Sequence, residues 1–222
     1  MAGDMPMPPD RFQQLKRAQE RKPRPDPLHA VDRRDPAVET SPLAAELLAE
    51  AASHPLESGE LLVLSEEAAL PDLEAAASGI ETTEAVPDRG ADEPALAAIA
   101  RPRLLAARVD EIIGWEPPLA EHLRLLEAAL QSGLEVAQTM LVGHVETFPE
   151  RVEHLMRLRH MLEPGAGRLV LTIRLSGDRE LPPRDPRIGR VAAAARPADP
   201  DLEVRHARAI ARLALGPGIV VG

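Results

Sequence analysis

The stretch Leu134–Glu150, LEVAQTMLVGHVETFPE, constrains this chain more than any other part of it. Leu134–Val142 has the length and near-continuous apolarity of a strand buried on both faces, as in a parallel sheet. The run breaks at Gly143-His144. A helix then restarts at Thr147, whose hydroxyl forms half of a T-x-x-E capping box completed by Glu150. A strand that hands over so quickly to a helix is a βα unit, and such units predict parallel sheets with right-handed crossovers.

The sequence downstream keeps that rhythm. Val152, Leu155 and Leu162 mark the helix face turned to the sheet, and Pro164-Gly165 ends the helix. Arg168–Leu175, RLVLTIRL, alternates as a strand does. Ser176–Pro200 reads as a long proline-rich loop in which VAAAA suffices for one helical turn. Asp199-Pro200 caps a last helix with Leu202, Ala209, Ile210 and Leu213 on its buried side; Gly216 terminates it, and GIVVG begins a further strand. Upstream, Pro94–Gly114 reads as helix interrupted near Pro102, with Leu105, Val109, Ile112 and Ile113 on one side. Pro117-Pro118 opens another helix whose stripe is Leu119, Leu123, Leu126 and Leu130, closed by Gly133. Three strands do not close a barrel, and an eight-fold β/α barrel takes roughly 250 residues. Residues 94–222 are therefore expected to be α/β, as a partial (β/α) barrel or an open parallel sheet with helical N-terminal additions.

Those additions are simpler. Residues 1–42, rich in Pro and charge, read as a disordered tail with room for a short helix at Arg11–Lys22; a docking tail is the functional alternative. Residues 43–93 read as a helical segment and linker. Leu43–Ser53 is a short helix and Ser58-Gly59 a turn. GELLVLSEE is a brief strand leading to a helix with Ser65 as its N-cap, which Pro71 shifts or interrupts. Gly79–Pro94 is a polar linker.

Aromatics are 1% of the chain and Tyr is absent, so the core must be built from Leu, Val, Ile and Ala and should be thin. The net charge of −10 disfavours nucleic acid or an anionic membrane as the main partner. Positive charge is nearly all Arg, crowded at the N-terminus and between Arg168 and Arg212, whereas Glu39–Glu93 is acidic. With no Cys, the chain by itself excludes disulfides, thiolate zinc sites and Cys-ligated iron–sulfur clusters. No run approaches the ~20 apolar residues of a membrane span, and MAGDMPMPPDRFQQ lacks a signal-peptide core. A soluble, cytoplasmic protein is the expectation.

No G-x-S-x-G, P-loop or Rossmann glycine pattern occurs, and GPGIVVG has no helix after it. His154 and His160, six apart, diverge on a helix. Glu150 and His154 share a face without a further ligand, so no metal site is expected and the histidines read as solvent-facing or capping. His144 is the exception: beside Glu146 at a strand's C-terminal end, the pair could act as acid and base or could hold the turn.

Four segments carry a resemblance: RVDEII, TMLVGHVET, ERVEHLMRLRHM and ARAIARLALGPGI. In these, residues 103–222 resemble the C-terminal half of radical S-adenosylmethionine enzymes. The group comprises aminofutalosine synthase and dehypoxanthine futalosine cyclase of menaquinone biosynthesis, and the deazaflavin (FO) synthases of coenzyme F420 biosynthesis. The resemblance implies a TIM-type barrel with its site at the C-terminal mouth of the strands. It also implies a G-x-I-x-G-x-x-E wall for the adenine of S-adenosylmethionine, with Thr139 in place of the first Gly, Leu141 for the Ile, and Gly143 and Glu146 matching. The family's C-x3-C-x2-C cluster motif has no counterpart here, so radical catalysis by this chain alone is not expected. The reading that follows is a cluster-less relative, a pseudoenzyme kept for binding or scaffolding or as a partner subunit; the alternative is one piece of a split enzyme completed by a Cys-bearing chain. The candidate catalytic pair is His144 and Glu146. The candidate cofactor- or ligand-binding residues are Gln138, Thr139, Leu141, Gly143 and Arg174, with Arg174 a cation for a carboxylate or phosphate or else an ion-pair member. A protein partner or a second copy is expected to cover the open sheet edge.

Overall fold

The computed structural model describes residues 37–80, 101–103, 105–106, 109–110, 114–162, 167–176, 199–216 and 220–221. The readings for the Arg11–Lys22 helix, the 81–94 linker, Ile112, Ile113, Pro164-Gly165 and most of the 176–200 loop lie outside them. The elements are α1 (Pro42–Glu50), α2 (Ser58–Glu67), α3 (Leu70–Ser78), α4 (Leu119–Gln131), β1 (Glu135–Val142), α5 (Phe148–Met161), β2 (Arg168–Leu175), α6 (Pro200–Leu215) and β3 (Val220–Val221).

The three strands form one open, parallel sheet in the order β1-β2-β3. β1 and β2 pair along their whole length, from Glu135 opposite Arg168 to Val142 opposite Leu175; β3 pairs with Val170 and Leu171. On the free side of β1, Arg103 makes a parallel bridge to Met140. Its N–H donates to the Thr139 carbonyl at 3.3 Å, and its own carbonyl accepts from Leu141 N–H at 3.0 Å. The stretch read as helix interrupted near Pro102 is thus extended at Arg103. Gly167 fixes where β2 begins: a Cβ there would lie 1.9 Å from the Leu134 carbonyl oxygen, so only glycine lets the two backbones close.

One sheet face is buried and the other is not. Val136, Met140 and Val142 of β1 and Leu169, Leu171 and Ile173 of β2 all belong to the core. Glu135, Ala137 and Arg174 on the opposite face are exposed, and Thr139, Val170 and Thr172 are half-buried. The strand expected to be buried on both faces is so only near its C-terminal end, at Leu141. Helices α4 and α6 pack on the sheet, and α1, α2 and α3 form a further helical layer in which α2 meets α5 and α6, and α3 meets α6. α6 lies between the two layers. Ala207, Ala209, Ile210, Ala211, Leu213 and Ala214 are all buried, while Asp201, Arg205, Arg208 and Arg212 make a charged stripe along the remaining face. Small Ala side chains at these positions allow close helix approach, so a core without aromatics still closes.

The local signals explain most boundaries. Thr147 and Glu150 cap α5 reciprocally, and Asp199 accepts from Asp201 and Leu202 N–H at the start of α6. A second segment differs, and with it the expected Ser58-Gly59 turn, which is the first turn of α2. GELLVLSEE is not a strand but the body of α2, which starts at Ser58 under a capping box between Glu57 and Glu60. Ser65, expected as an N-cap, is buried inside α2 and donates to the Leu61 carbonyl at 2.7 Å. Pro71 sits in the first turn of α3, where its missing N–H costs nothing.

Candidate functional site

The corner after β1 is built from Gly143, His144, Glu146 and the first turn of α5. Gly143 has φ +83°, and a Cβ on it would meet Leu175 Cδ1 at 2.6 Å. The positive φ selects glycine, and a side chain there would also have to displace the Leu175 methyl. Glu146, 4% exposed, folds back over the turn. One carboxylate oxygen accepts Gly143 N–H at 2.6 Å and the other accepts His144 N–H at 2.9 Å.

The same carboxylate is gripped by Arg151, whose Nε donates at 3.1 Å and whose Nη2 also reaches it. Arg151 Nη2 donates as well to Glu203 of α6, so one buried guanidinium ties the β1 corner and α5 to α6. Burial is the largest single influence on Arg151 and pulls its pKa down, but Glu146 and Glu203 outweigh it and hold the group above its ordinary value. The Arg151 guanidinium lies 5.3 Å from the Phe148 ring centre, and that ring is 5.3 Å from the His206 ring. His206 is pushed down to about 4, first by burial and then by Arg151.

A second buried polar group lies on the α4 side. Arg103 pairs with Asp110 and donates to the Pro117 carbonyl at 3.0 Å, with its guanidinium 5.0 Å from the Trp115 ring. The other Asp110 oxygen accepts Leu119 N–H at 2.7 Å and so caps the start of α4. His122, fully buried, lies with Nε2 3.3 Å from the Gln138 amide. His154, 1% exposed, has no hydrogen-bond partner on either ring nitrogen among the described residues. Burial, followed by His122, Arg157 and Arg103, takes His154 down to about 3; burial and then Arg103 take His122 to about 4. The expectation of a solvent-facing or capping His154 is corrected. On the helix, His154 and Leu158 share the inward stripe. His160 is exposed.

The candidate residues do not converge. Gly143, His144 and Glu146 form one turn, and the two backbone N–H groups there point at Glu146 rather than outward. Thr139, Leu141 and Arg174 share the sheet face away from the helices. Gln138 does not line the strand ends with them: 1% exposed, it faces α4, because successive strand residues point to opposite faces. The cavity lined by Leu105, Leu141, Glu146, Glu150 and His154 is about 10 Å³, room for roughly one water. That space beside Glu146 is too small for S-adenosylmethionine, and the chain has no Cys to ligate an iron–sulfur cluster. Among the described residues no group of three His, Asp or Glu is placed to hold a metal ion.

Sequence reasoning missed Arg151, Glu203, His206, Arg103 and Asp110. A signal existed for two of them. Arg151 stands on the stripe of Leu155 and Leu158, and Glu203 on that of Ala207 and Ile210, at helical spacing. What fold and corner define is a mixed helix-and-strand protein with an open parallel sheet. No helix among the described residues is long and apolar enough to cross a membrane. Compared with protein-family models and with curated protein sequences, the chain matches none.

Proposed function

We propose that residues 94–222 are a partial β/α barrel of the kind found in the futalosine and deazaflavin radical enzymes, serving as a scaffold or partner subunit rather than as a catalyst. Strand order supports the barrel reading. The Arg103 bridge, β1, β2 and β3 follow one another without the reversal of a doubly wound sheet, and the helices pack on one face. The observation that carries the scaffold reading is the occupancy of Glu146. Both its oxygens accept hydrogen bonds from the turn, and Arg151 holds it in a buried ion pair. A carboxylate so committed is a brace, not a base.

Calorimetry with S-adenosylmethionine on the purified chain tests this. The reading expects no saturable heat at about millimolar ligand. Saturable heat that disappears in Arg174→Ala would overturn it and restore a ligand site at the strand ends. The exposed face around Ala137 and Arg174 favours a second reading, in which a Cys-bearing chain completes the barrel. Stable co-purification of such a chain, with an iron–sulfur chromophore in the complex, would support it.

A further inference from the structure

A groove of about 700 Å³ opens on the helical side, starting at Pro149 in the first turn of α5. Its floor is one stripe of α5, with Val152 and Met156 continuing to Met161. Leu62 of α2 and Glu127 of α4 stand on either side. The stripe from Pro149 to Met161 runs about 18 Å, three helical turns. A trough with a helical floor and two helical walls has the shape that receives one face of another helix. Two of its apolar lining residues, Met156 and Met161, are unbranched and flexible, and methionine adapts to varied partners.

The charge around the groove decides the occupant. From Glu39 to Ile80, the span of α1, α2 and α3, the chain carries nine carboxylates and no Lys or Arg. On the α2 side Glu66 adjoins the lining residues and Glu57 at the cap pairs with Arg159, and the α4 side carries Glu121 and Glu127 against Arg124 alone. Within the floor Arg157 is paired with Glu153, so it adds no net positive charge. An apolar floor between acidic walls is complementary to a helix with an apolar stripe and basic flanks.

We infer that this groove is the docking site for a basic amphipathic helix of a protein partner. The inference rests on the scaffold reading and names the class of partner. Fluorescence anisotropy on the full chain tests it with a labelled Leu/Lys amphipathic peptide of about 14 residues, long enough to run the floor. Its Leu/Glu counterpart is the control. The Leu/Lys peptide should bind with a dissociation constant below about 100 µM. The Leu/Glu peptide should bind at least about tenfold more weakly, as should Leu/Lys to Met156→Glu. Glu127→Lys, a surface change that leaves the core intact, should weaken Leu/Lys binding about threefold or more, with the difference shrinking in high salt.

Equal affinity for the two peptides, no binding, or affinity unchanged in both variants would overturn the inference. Self-association of the chain that Met156→Glu abolishes would overturn it too, assigning the groove to a second copy. Neither Met156 nor Glu127 touches Glu146 or Arg174, so failure here leaves the calorimetric test of the scaffold reading intact.

Discussion

Lowering the pH from about 7.5 to 5 should cost this protein about 6 kcal/mol of stability, and three buried histidines set the size of the loss. His122, His154 and His206 have folded-state pKa values of about 4, 3 and 4, against 6.5 for an unperturbed imidazole. In each case burial is the largest cause. Because the folded values lie below the unfolded ones, the unfolded chain takes up protons first as the pH falls. The stabilisation is complete above about pH 6.5 and is lost from there down towards about pH 4. In that window three protons separate the two states, a slope of about 4 kcal/mol per pH unit, hence about 6 kcal/mol by pH 5. A total stability of about 5–15 kcal/mol would not comfortably survive that. Urea unfolding followed by far-ultraviolet circular dichroism at several pH values measures the slope directly. His154→Leu removes one titrating group that has no hydrogen-bond partner to lose. It should leave stability at neutral pH within about 1 kcal/mol and cut the acid slope by about a third. A wild-type slope worth less than one proton, or an unchanged slope in His154→Leu, would refute the reasoning.

Two further substitutions probe the corner and its brace. Gly143→Ala should cost about 2–4 kcal/mol, combining positive φ with overlap on Leu175, whereas Gly133→Ala, with φ +76° and open space, should cost only about 1–2 kcal/mol; paired denaturation midpoints check the difference. Arg151→Met leaves Glu146 and Glu203 buried without their cation and should cost about 3–5 kcal/mol by urea unfolding at neutral pH, much of it recovered when Glu203→Gln is added.

How far the sequence carried depended on whether a signal was local. The capping box at Thr147 and Glu150, the Asp199-Pro200 start and the alternation of RLVLTIRL each act within a few residues, and the elements they mark are where they were expected. LLVL inside GELLVLSEE has no period of its own, and an apolar run of that length fits a strand or a buried helix equally. The reciprocal cap between Glu57 and Glu60 and packing on α5 decided for helix. Arg103 bridging β1 depends on an ion pair with Asp110 that spacing alone does not reveal. Of the candidate site, Gly143 and Glu146 were legible as a turn, and the option that Glu146 holds it matches the geometry. Gln138 was grouped with Thr139 although adjacent strand residues face opposite ways, so that error was avoidable. The Arg151–Glu203 pair spans fifty-two residues and a crossover, which no local pattern encodes.

Amide hydrogen exchange in Glu146→Gln tests the central claim, that the carboxylate after β1 is a structural brace. The glutamine keeps the shape but puts one N–H donor where an acceptor oxygen stood, opposite donors from Gly143, His144 and Arg151. Protection at Gly143 and His144 should fall about tenfold to a hundredfold, well beyond any change at Leu171 in the β1–β2 ladder. Unchanged protection at both amides would contradict the account.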